Sequence, residues 1–133
     1  MKDSIRDVDI LLVKEAQKII ETRYKEGNHH IGAALRTKSG KIFSAVHLEA
    51  NIGRIAVCAE AIAIGMAAAA EDTEIDTIVA VNRNGDVVSP CGMCRELISD
   101  YSPEAWVIIP GDEGKYKSRV LDLLPNNYLR VQH

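Results

Sequence analysis

The sequence has few cysteines and few aromatic residues: three cysteines, one tryptophan and one phenylalanine among 133 residues. An odd cysteine count that includes a Cys-x-x-Cys pair favours reduced thiols serving metal or redox chemistry over disulfides. No apolar run approaches the roughly 18 residues of a membrane span, and the first residues form no apolar signal region. We therefore expect a cytoplasmic protein that has no membrane partner.

The chain also lacks a strong excess of charge of either sign. Sixteen basic against 19 acidic residues give a net charge of −3, and no segment clusters lysine and arginine. Without basic and aromatic patches, a nucleic-acid partner or a polynucleotide-editing activity is disfavoured, and a small-molecule substrate is favoured. Repeats, low-complexity tracts and linkers are absent too, so the length predicts one domain over residues 1–133.

The apolar pattern alternates between helical and strand periodicity. Residues 5–24 predict an amphipathic helix in which Ile5, Val8, Leu11, Leu12, Ala16, Ile19 and Ile20 share a stripe, with Asp3, Ser4 and Asp7 as candidate caps. The remaining predicted elements are a hairpin of strands 31–36 and 42–47, a helix from Cys58, strand 75–81, a helix at 90–101, strands 105–109 and 116–120, and a helical turn at 120–124. This order predicts an α/β fold, a three-layer α/β/α sandwich around a five-stranded mixed sheet.

The second predicted helix is apolar on nearly every side. Its residues 61–70 are mostly alanine, isoleucine and glycine. Such a helix must be covered on more than one face. In a chain of this size we expect part of that cover to come from another subunit.

Two short segments carry the residues of a metal site, Cys58-Ala59-Glu60 and Pro90-Cys91-Gly92-Met93-Cys94. Cys91 and Cys94 are three positions apart and so share one helix face. Proline is favoured at the first helical position, which places both cysteines in the first turn. Because Cys58 begins the other helix, two positive helix ends converge on the sulfurs and favour thiolate.

Three thiolates can hold one Zn²⁺ per chain and leave its fourth position to water, as in catalytic zinc sites. A closed structural site would need a fourth ligand from His29, His30, His47 or His133. Glu60 is the candidate proton shuttle for attack of water on an amino-bearing ring carbon and departure of ammonia. Taken alone, Cys-x-x-Cys also fits a thioredoxin-like redox pair or a structural zinc site.

Several motifs resemble the cytidine deaminase family, and within it most closely the bacterial blasticidin S deaminases. The motifs shared with the family are Gly32-Ala33-Ala34-Leu35, Lys41-Ile42-Phe43, Cys58-Ala59-Glu60, Ser89-Pro90-Cys91-Gly92-Met93-Cys94-Arg95 and Leu123-Leu124-Pro125. The segments that resemble the blasticidin S deaminases are 29–34, 45–50, 52–54, 57–65 and 91–101. The resemblance implies zinc held by Cys58, Cys91 and Cys94, with Glu60 as the shuttle. It also implies that the Ala59 N–H binds the cytosine carbonyl, that the Ser89 carbonyl faces the exocyclic amine, and that the protein is a homotetramer.

The sequence differs from ordinary cytidine deaminases at positions that contact the substrate and at one that affects the charge of the metal site. His29 stands where those enzymes typically carry a base-stacking phenylalanine, and His47 where they have a ribose-binding asparagine, while Glu49 matches their ribose-binding glutamate. Ala61 replaces an arginine that neutralises the thiolates. The helix ends and Arg95 are then the candidates for that compensation.

The resemblance implies a cytosine nucleoside as substrate, with blasticidin S first. Its sugar carries a carboxylate, for which Arg54 or a histidine is the candidate partner, and its guanidinium tail would favour acidic groups such as Glu49. Tyr128 either approaches the pocket or docks on a neighbouring chain. The alternatives are a housekeeping cytidine or deoxycytidine deaminase and a non-catalytic zinc-stabilised binding module.

Overall fold

The computed structural model describes residues 2–52 and 55–129. The helices are α1 (Asp7–Arg23), α2 (Ala59–Ala69) and α3 (Gly92–Tyr101), followed by a 3₁₀ helix, Val120–Leu123. The strands are β1 (Lys2–Asp3), β2 (Gly32–Thr37), β3 (Ile42–Val46), β4 (Leu48–Glu49), β5 (Ala56–Val57), β6 (Ile75–Val81), β7 (Val87–Val88), β8 (Trp106–Ile109) and β9 (Tyr116–Arg119).

The main sheet has the order β1-β9-β8-β6-β2-β3, and β7 pairs with the C-terminal end of β6. Only β6 and β8 are parallel among the described strands, so the sheet is mixed as predicted. β4 and β5 form a separate antiparallel pair. The prediction of five strands was wrong because β1 and β7 contain two residues each, too few to produce an alternating pattern.

Helices cover both faces of the sheet. Leu35 and Ile78 pack in one core cluster with residues of α2 and α3, whereas the adjacent Ala34 and Val79 pack in another with α1. Successive strand residues point to opposite faces, so this alternation defines three layers. The predicted α/β/α sandwich is therefore confirmed.

Helix α1 is shorter at both ends than predicted and differs in the residue that caps it. Arg6 is the N-cap residue, and its backbone N–H donates to the Asp9 carboxylate over 3.0 Å. The cap is thus neither Asp3, Ser4 nor Asp7. The carboxylate of Asp9, inside the first turn, accepts the N–H of the cap residue Arg6. The prediction considered only polar residues near the start of the helix as caps and so did not include this arrangement.

The buried stripe of α1 is also narrower than the pattern indicated. Leu12, Ala16 and Ile20 are buried, whereas Val8 and Leu11 are 45% and 58% exposed within the chain. Gly32 lets this stripe lie close to β2, because a Cβ there would come within 2.7 Å of the Ala16 carbonyl oxygen.

No helix in the described ranges combines the length and the apolar character required to cross a membrane.

A buried ion pair joins α1 to the sheet. The Lys117 ammonium lies 3.1 Å from Asp9, both residues are buried, and the Arg36 guanidinium lies 3.4 Å from the same carboxylate. Burial alone would raise the pKa of Asp9, but the Arg6 N–H and the Lys117 ammonium outweigh it and hold that pKa below its usual range. The ionised carboxylate is therefore the form that the fold stabilises.

Asp9→Asn is expected to lower the free energy of unfolding by about 3 kcal/mol at neutral pH, because it leaves the Lys117 charge buried without its partner. Because the folded pKa of Asp9 is lowered, its contribution is present above the unfolded pKa of about 4 and is lost as the pH falls through the folded value. Urea unfolding at several pH values measures this difference, which should shrink below about pH 4. The exposed Asp7→Asn is the matched control, and an equal loss in both variants would contradict the assignment.

Candidate active site

The two cysteine segments lie at the starts of α2 and α3. β5 runs directly into Cys58, which is the N-cap residue of α2 with extended backbone, and Cys91 is the N-cap residue of α3. Cys94 is buried in the first turn of α3. Pro90 precedes the cap, so its predicted place at the first helical position was wrong by two residues and Gly92 occupies that position.

The three sulfur atoms converge. All lie within 4.8 Å of one another, those of Cys58 and Cys91 are 3.7 Å apart, and the three thiols are free. Within the described ranges this cluster contains no histidine or carboxylate, so none of His29, His30 and His47 joins it. Three thiols at this spacing fit a tetrahedral metal ion whose fourth position is open. His133 lies outside the described residues.

Without a cation, the site disfavours further negative charge. Burial raises the pKa of Cys94 far above its usual range, and the nearby Glu60 and Cys58 raise it further. Burial likewise raises the pKa of Cys58. Only the pKa of Cys91 is lowered: burial opposes this, but backbone N–H groups of α3 and the Cys58 thiol outweigh it. A divalent cation would reverse this balance, because it stabilises each thiolate directly.

Glu60 is the second residue of α2, and only 5% of its surface is exposed. Burial raises the pKa of its carboxyl group, and its own backbone N–H partly opposes that rise. A raised pKa makes the carboxylate a better proton acceptor than an exposed glutamate, which suits the role of a shuttle.

A layer of alanines lies under the start of α2. Ala59 packs on Ala33 of β2 and Ala80 of β6, with Ile31 and Val88 against the same cluster. Ala59 begins the helix, so its N–H has no acceptor within α2. Ser89 directly follows Val88, which packs against this cluster.

The predicted histidines form a network that includes Glu49. His47 Nδ1 accepts the backbone N–H groups of His30 and Ile31 at 2.7 and 3.3 Å, and His47 Nε2 lies 3.4 Å from the Glu49 carboxylate. His29 Nδ1 lies 2.8 Å from the carbonyl oxygen of His47. The structure thus brings His29, His47 and Glu49 together, whereas Arg54 lies outside the described residues.

Sequence reasoning did not predict two features that hold Glu49 in place. Asn28 donates its side-chain amide to the Glu49 carbonyl over 2.7 Å, and β4 and β5 hold Glu49 opposite Ala56. β5 then leads into Cys58. Pairs of two-residue strands and a single asparagine carry no sequence pattern, so no signal would have found them.

The Arg95 guanidinium donates to carbonyl groups. Its Nε donates to Pro90 over 2.9 Å and its Nη1 to Leu123 over 3.2 Å. These bonds connect the segment before Cys91 to the 3₁₀ helix. Arg95 therefore braces the start of α3 and keeps its positive charge there, so it and the helix ends both stay candidates for offsetting the thiolates.

Comparison with known proteins agrees with this geometry. Residues 6–109 match the family described as the cytidine and deoxycytidylate deaminase zinc-binding region. The chain belongs to this family. It is 49% identical to the blasticidin-S deaminase of Bacillus cereus, and the match covers 96% of each chain. The predicted family resemblance is thereby confirmed, and with it zinc as the cofactor, for which the three-cysteine cluster is the candidate site.

Solved structures show the same fold. The cytidine deaminase of Mycobacterium leprae superimposes with a TM-score of 0.78 at 27% identity, covering 92% of this chain and 100% of that one. The cytidine deaminase of Burkholderia pseudomallei gives 0.74 at 27% identity, with 90% and 98% covered.

Proposed function

We propose that the protein is a zinc-dependent hydrolytic deaminase that converts the 4-amino group of a cytosine nucleoside to a carbonyl and releases ammonia. The observation that carries this proposal is the convergence of Cys58, Cys91 and Cys94 within 4.8 Å at two helix starts, with Glu60 buried in the first turn of one of them. Three cysteine ligands and one carboxyl group are the parts that this reaction requires.

Cys58, Cys91 and Cys94 would hold the metal, which when bound would supply water that ionises near neutral pH. Glu60 would carry both protons that this water gives up, one to the ring nitrogen of cytosine and the other to the amino group that leaves as ammonia. The burial of Glu60 limits the access of bulk water to this transfer and raises the pKa of the carboxyl group.

Ala59 and Ser89 orient the base in this proposal. The free N–H of Ala59 donates to the cytosine carbonyl, and the Ser89 carbonyl accepts from the exocyclic amine. Both groups belong to the backbone, so their positions follow from the helix start and from the end of β7. Ala59 itself is buried in the alanine layer with Ala33 and Ala80.

Blasticidin S is the substrate that we propose first. The 49% identity to the Bacillus cereus blasticidin-S deaminase over nearly the whole chain supports it. So do His29 and His47, since both differ from the residues of ordinary cytidine deaminases. Arg54 or a histidine remains our candidate for the carboxylate of the antibiotic, and Glu49 for its guanidinium-bearing tail.

Two alternatives differ in a testable way. A housekeeping cytidine or deoxycytidine deaminase is supported by the retained Glu49 and by the cytidine deaminases of the same fold. A zinc-stabilised binding module would need the three cysteines but would gain nothing from a buried Glu60.

We base the proposed homotetramer on apolar side chains that the single chain leaves exposed. Several large apolar side chains around the cysteine-bearing helices and the β4–β5 pair are exposed: Leu48, Ile52, Ile55, Val57, Met66 and Met93. Neighbouring chains would cover this surface and the outer face of α2. Tyr128 is 81% exposed within the chain, so docking on a neighbour and approach to a neighbour's pocket both stay open.

Glu60→Gln is expected to keep about one zinc ion per chain and to lower kcat about 10³-fold, because the amide cannot carry protons. Ammonia release and metal analysis measure the two quantities. Cys94→Ser should lose both zinc and activity, and the exposed Glu21→Gln should change neither. Wild-type deamination by Glu60→Gln would contradict the proposed mechanism and favour the binding module.

Assayed on blasticidin S, cytidine and deoxycytidine, the zinc-loaded enzyme is expected to favour blasticidin S in kcat/KM by about tenfold or more, since its sugar-side contacts differ from those of cytidine deaminases. Loss of absorbance of the cytosine ring measures each rate. Faster turnover of cytidine would support the housekeeping alternative. Arg54→Ala should reduce kcat/KM on blasticidin S more than on cytidine, and an equal loss on both would contradict the carboxylate assignment.

Met66→Glu is expected to dissociate the tetramer, because it places a charge on the exposed apolar face of α2, where 43% of Met66 is accessible in the single chain. Light scattering after size-exclusion chromatography gives the mass. Leu11→Glu is the control, since α1 covers the other face of the sheet. A monomeric wild type would contradict the proposed assembly.

A further inference from the structure

Three residues, Ser89, Pro90 and Cys91, connect the end of β7 to the start of α3. Two of them supply groups of the proposed active site, the Ser89 carbonyl and the Cys91 thiol. Ser89 is exposed, whereas Pro90, which lies between them in the chain, is buried. The proline ring fixes the φ torsion at about −65°. The direction of the Ser89 carbonyl relative to α3 therefore depends on the ψ torsion of Pro90.

Arg95 restrains that second torsion. Its Nε donates to the Pro90 carbonyl over 2.9 Å, and its backbone N–H donates to the Cys91 carbonyl over 3.0 Å. Helical side chains point toward the N-terminus of their helix, so the Arg95 side chain reaches back past the cap residue. Because peptide groups are planar, the bound Pro90 carbonyl and the proline ring together hold the Ser89 carbonyl at one angle to the start of α3.

The guanidinium group is itself held in place. Nη1 donates to the carbonyl of Leu123 over 3.2 Å, at the last residue of the 3₁₀ helix, where carbonyl groups lack partners within the helix. Leu123 packs on the core cluster that also contains Ile98 of α3. Arg95 thus makes two hydrogen bonds in different directions with one planar group, which the compact ammonium of a lysine does not reproduce.

We propose that Arg95 is a positioning residue for deamination: through the Pro90 carbonyl it sets the direction of the Ser89 carbonyl, which accepts from the exocyclic amine. This inference rests on the proposed function, which places Ser89 beside the amine. Arg95 acts in it only through the backbone of the segment before α3. The amine takes up a proton as it leaves, so a correctly aimed acceptor binds it more strongly in the transition state than in the bound substrate.

Two substitutions separate this role from compensation of the thiolate charge. Arg95→Met removes the charge and both side-chain hydrogen bonds, and Arg95→Lys keeps the charge without the planar group. We expect kcat to fall about 30-fold in Arg95→Met and about tenfold in Arg95→Lys, because a misplaced acceptor costs transition-state stabilisation. KM should change less than about threefold, and about one zinc ion per chain should remain. The substrate is whichever of blasticidin S and cytidine the wild type turns over faster.

The other outcomes of this comparison contradict the proposal. Wild-type kcat in Arg95→Lys would leave charge compensation as the role of Arg95. Loss of zinc together with activity would assign Arg95 to metal retention, and a rise in KM at constant kcat would assign it to substrate binding. Each of these three results would overturn the positioning role.

Arg119→Lys is the matched control. The Arg119 Nη1 also donates to a backbone carbonyl, that of Glu104, and its guanidinium group lies 3.8 Å from the centre of the Trp106 ring at the start of β8. Both kinetic constants should stay within about twofold of the wild type, since these contacts involve neither cysteine segment. A fall in kcat as large as that of Arg95→Lys would show a general loss of rigidity and would overturn the specific assignment.

Pro90→Ala relaxes the same carbonyl through the other torsion, and it also decides the matter if circular dichroism shows that the Arg95 variants do not fold. We expect kcat to fall about tenfold with KM nearly unchanged, because alanine frees φ. If both residues restrain one carbonyl, Pro90→Ala combined with Arg95→Met should be at most about threefold slower than Arg95→Met alone. A wild-type kcat in Pro90→Ala, or effects that multiply in the double variant, would overturn the proposal.

A crystal structure of Arg95→Met, solved without substrate, decides the contact independently of activity. The Pro90 carbonyl should be rotated away from its direction in the wild type, and the Ser89 carbonyl should turn with it. An unchanged segment would overturn the positioning role. If the wild-type enzyme deaminated neither nucleoside, the proposed function would fail while the crystal structure still decided this contact.

Discussion

The site depends on how closely α2 can approach the sheet. Ala59, Ala33 and Ala80 form the contact, and each contributes a single methyl group, so the helix start lies directly on β2 and β6. This approach brings Cys58 to the two cysteines of α3, and it buries Glu60 beside them. Larger side chains in that layer would lift the helix and separate the sulfur atoms, because a packed core cannot absorb extra volume without displacement.

The same closeness has an electrostatic consequence. Three thiols and a carboxyl group share a small, largely buried volume, and the pKa values of Cys58, Cys94 and Glu60 are raised there. Two helix starts point their free N–H groups at this charge, but they supply only partial charges. Ionisation of the thiols is therefore linked to the presence of a metal. Metal binding should stabilise this part of the fold as well as supply the chemistry of the site.

Elements with a long, periodic pattern could be predicted from the sequence, and the short ones could not. β6 was predicted at its observed bounds because seven consecutive residues carry a buried-strand pattern. β1, β4, β5 and β7 have two residues each and were missed. The first helix was predicted with Val8 and Leu11 in its stripe, yet these are exposed, since periodicity locates an apolar face only to within about a residue.

For the site, the sequence by itself determined the chemical groups: three thiols and one carboxyl group, at spacings that place each near a helix start. This holds because residue identity and local spacing are properties of the chain, independent of the rest of the fold. Only the tertiary structure decided what surrounds them. That His47 faces Glu49, that Asn28 anchors the same residue, and that Arg95 is engaged by carbonyl groups all depend on contacts between distant segments. Such contacts follow from packing and hydrogen-bond geometry, which no local pattern records.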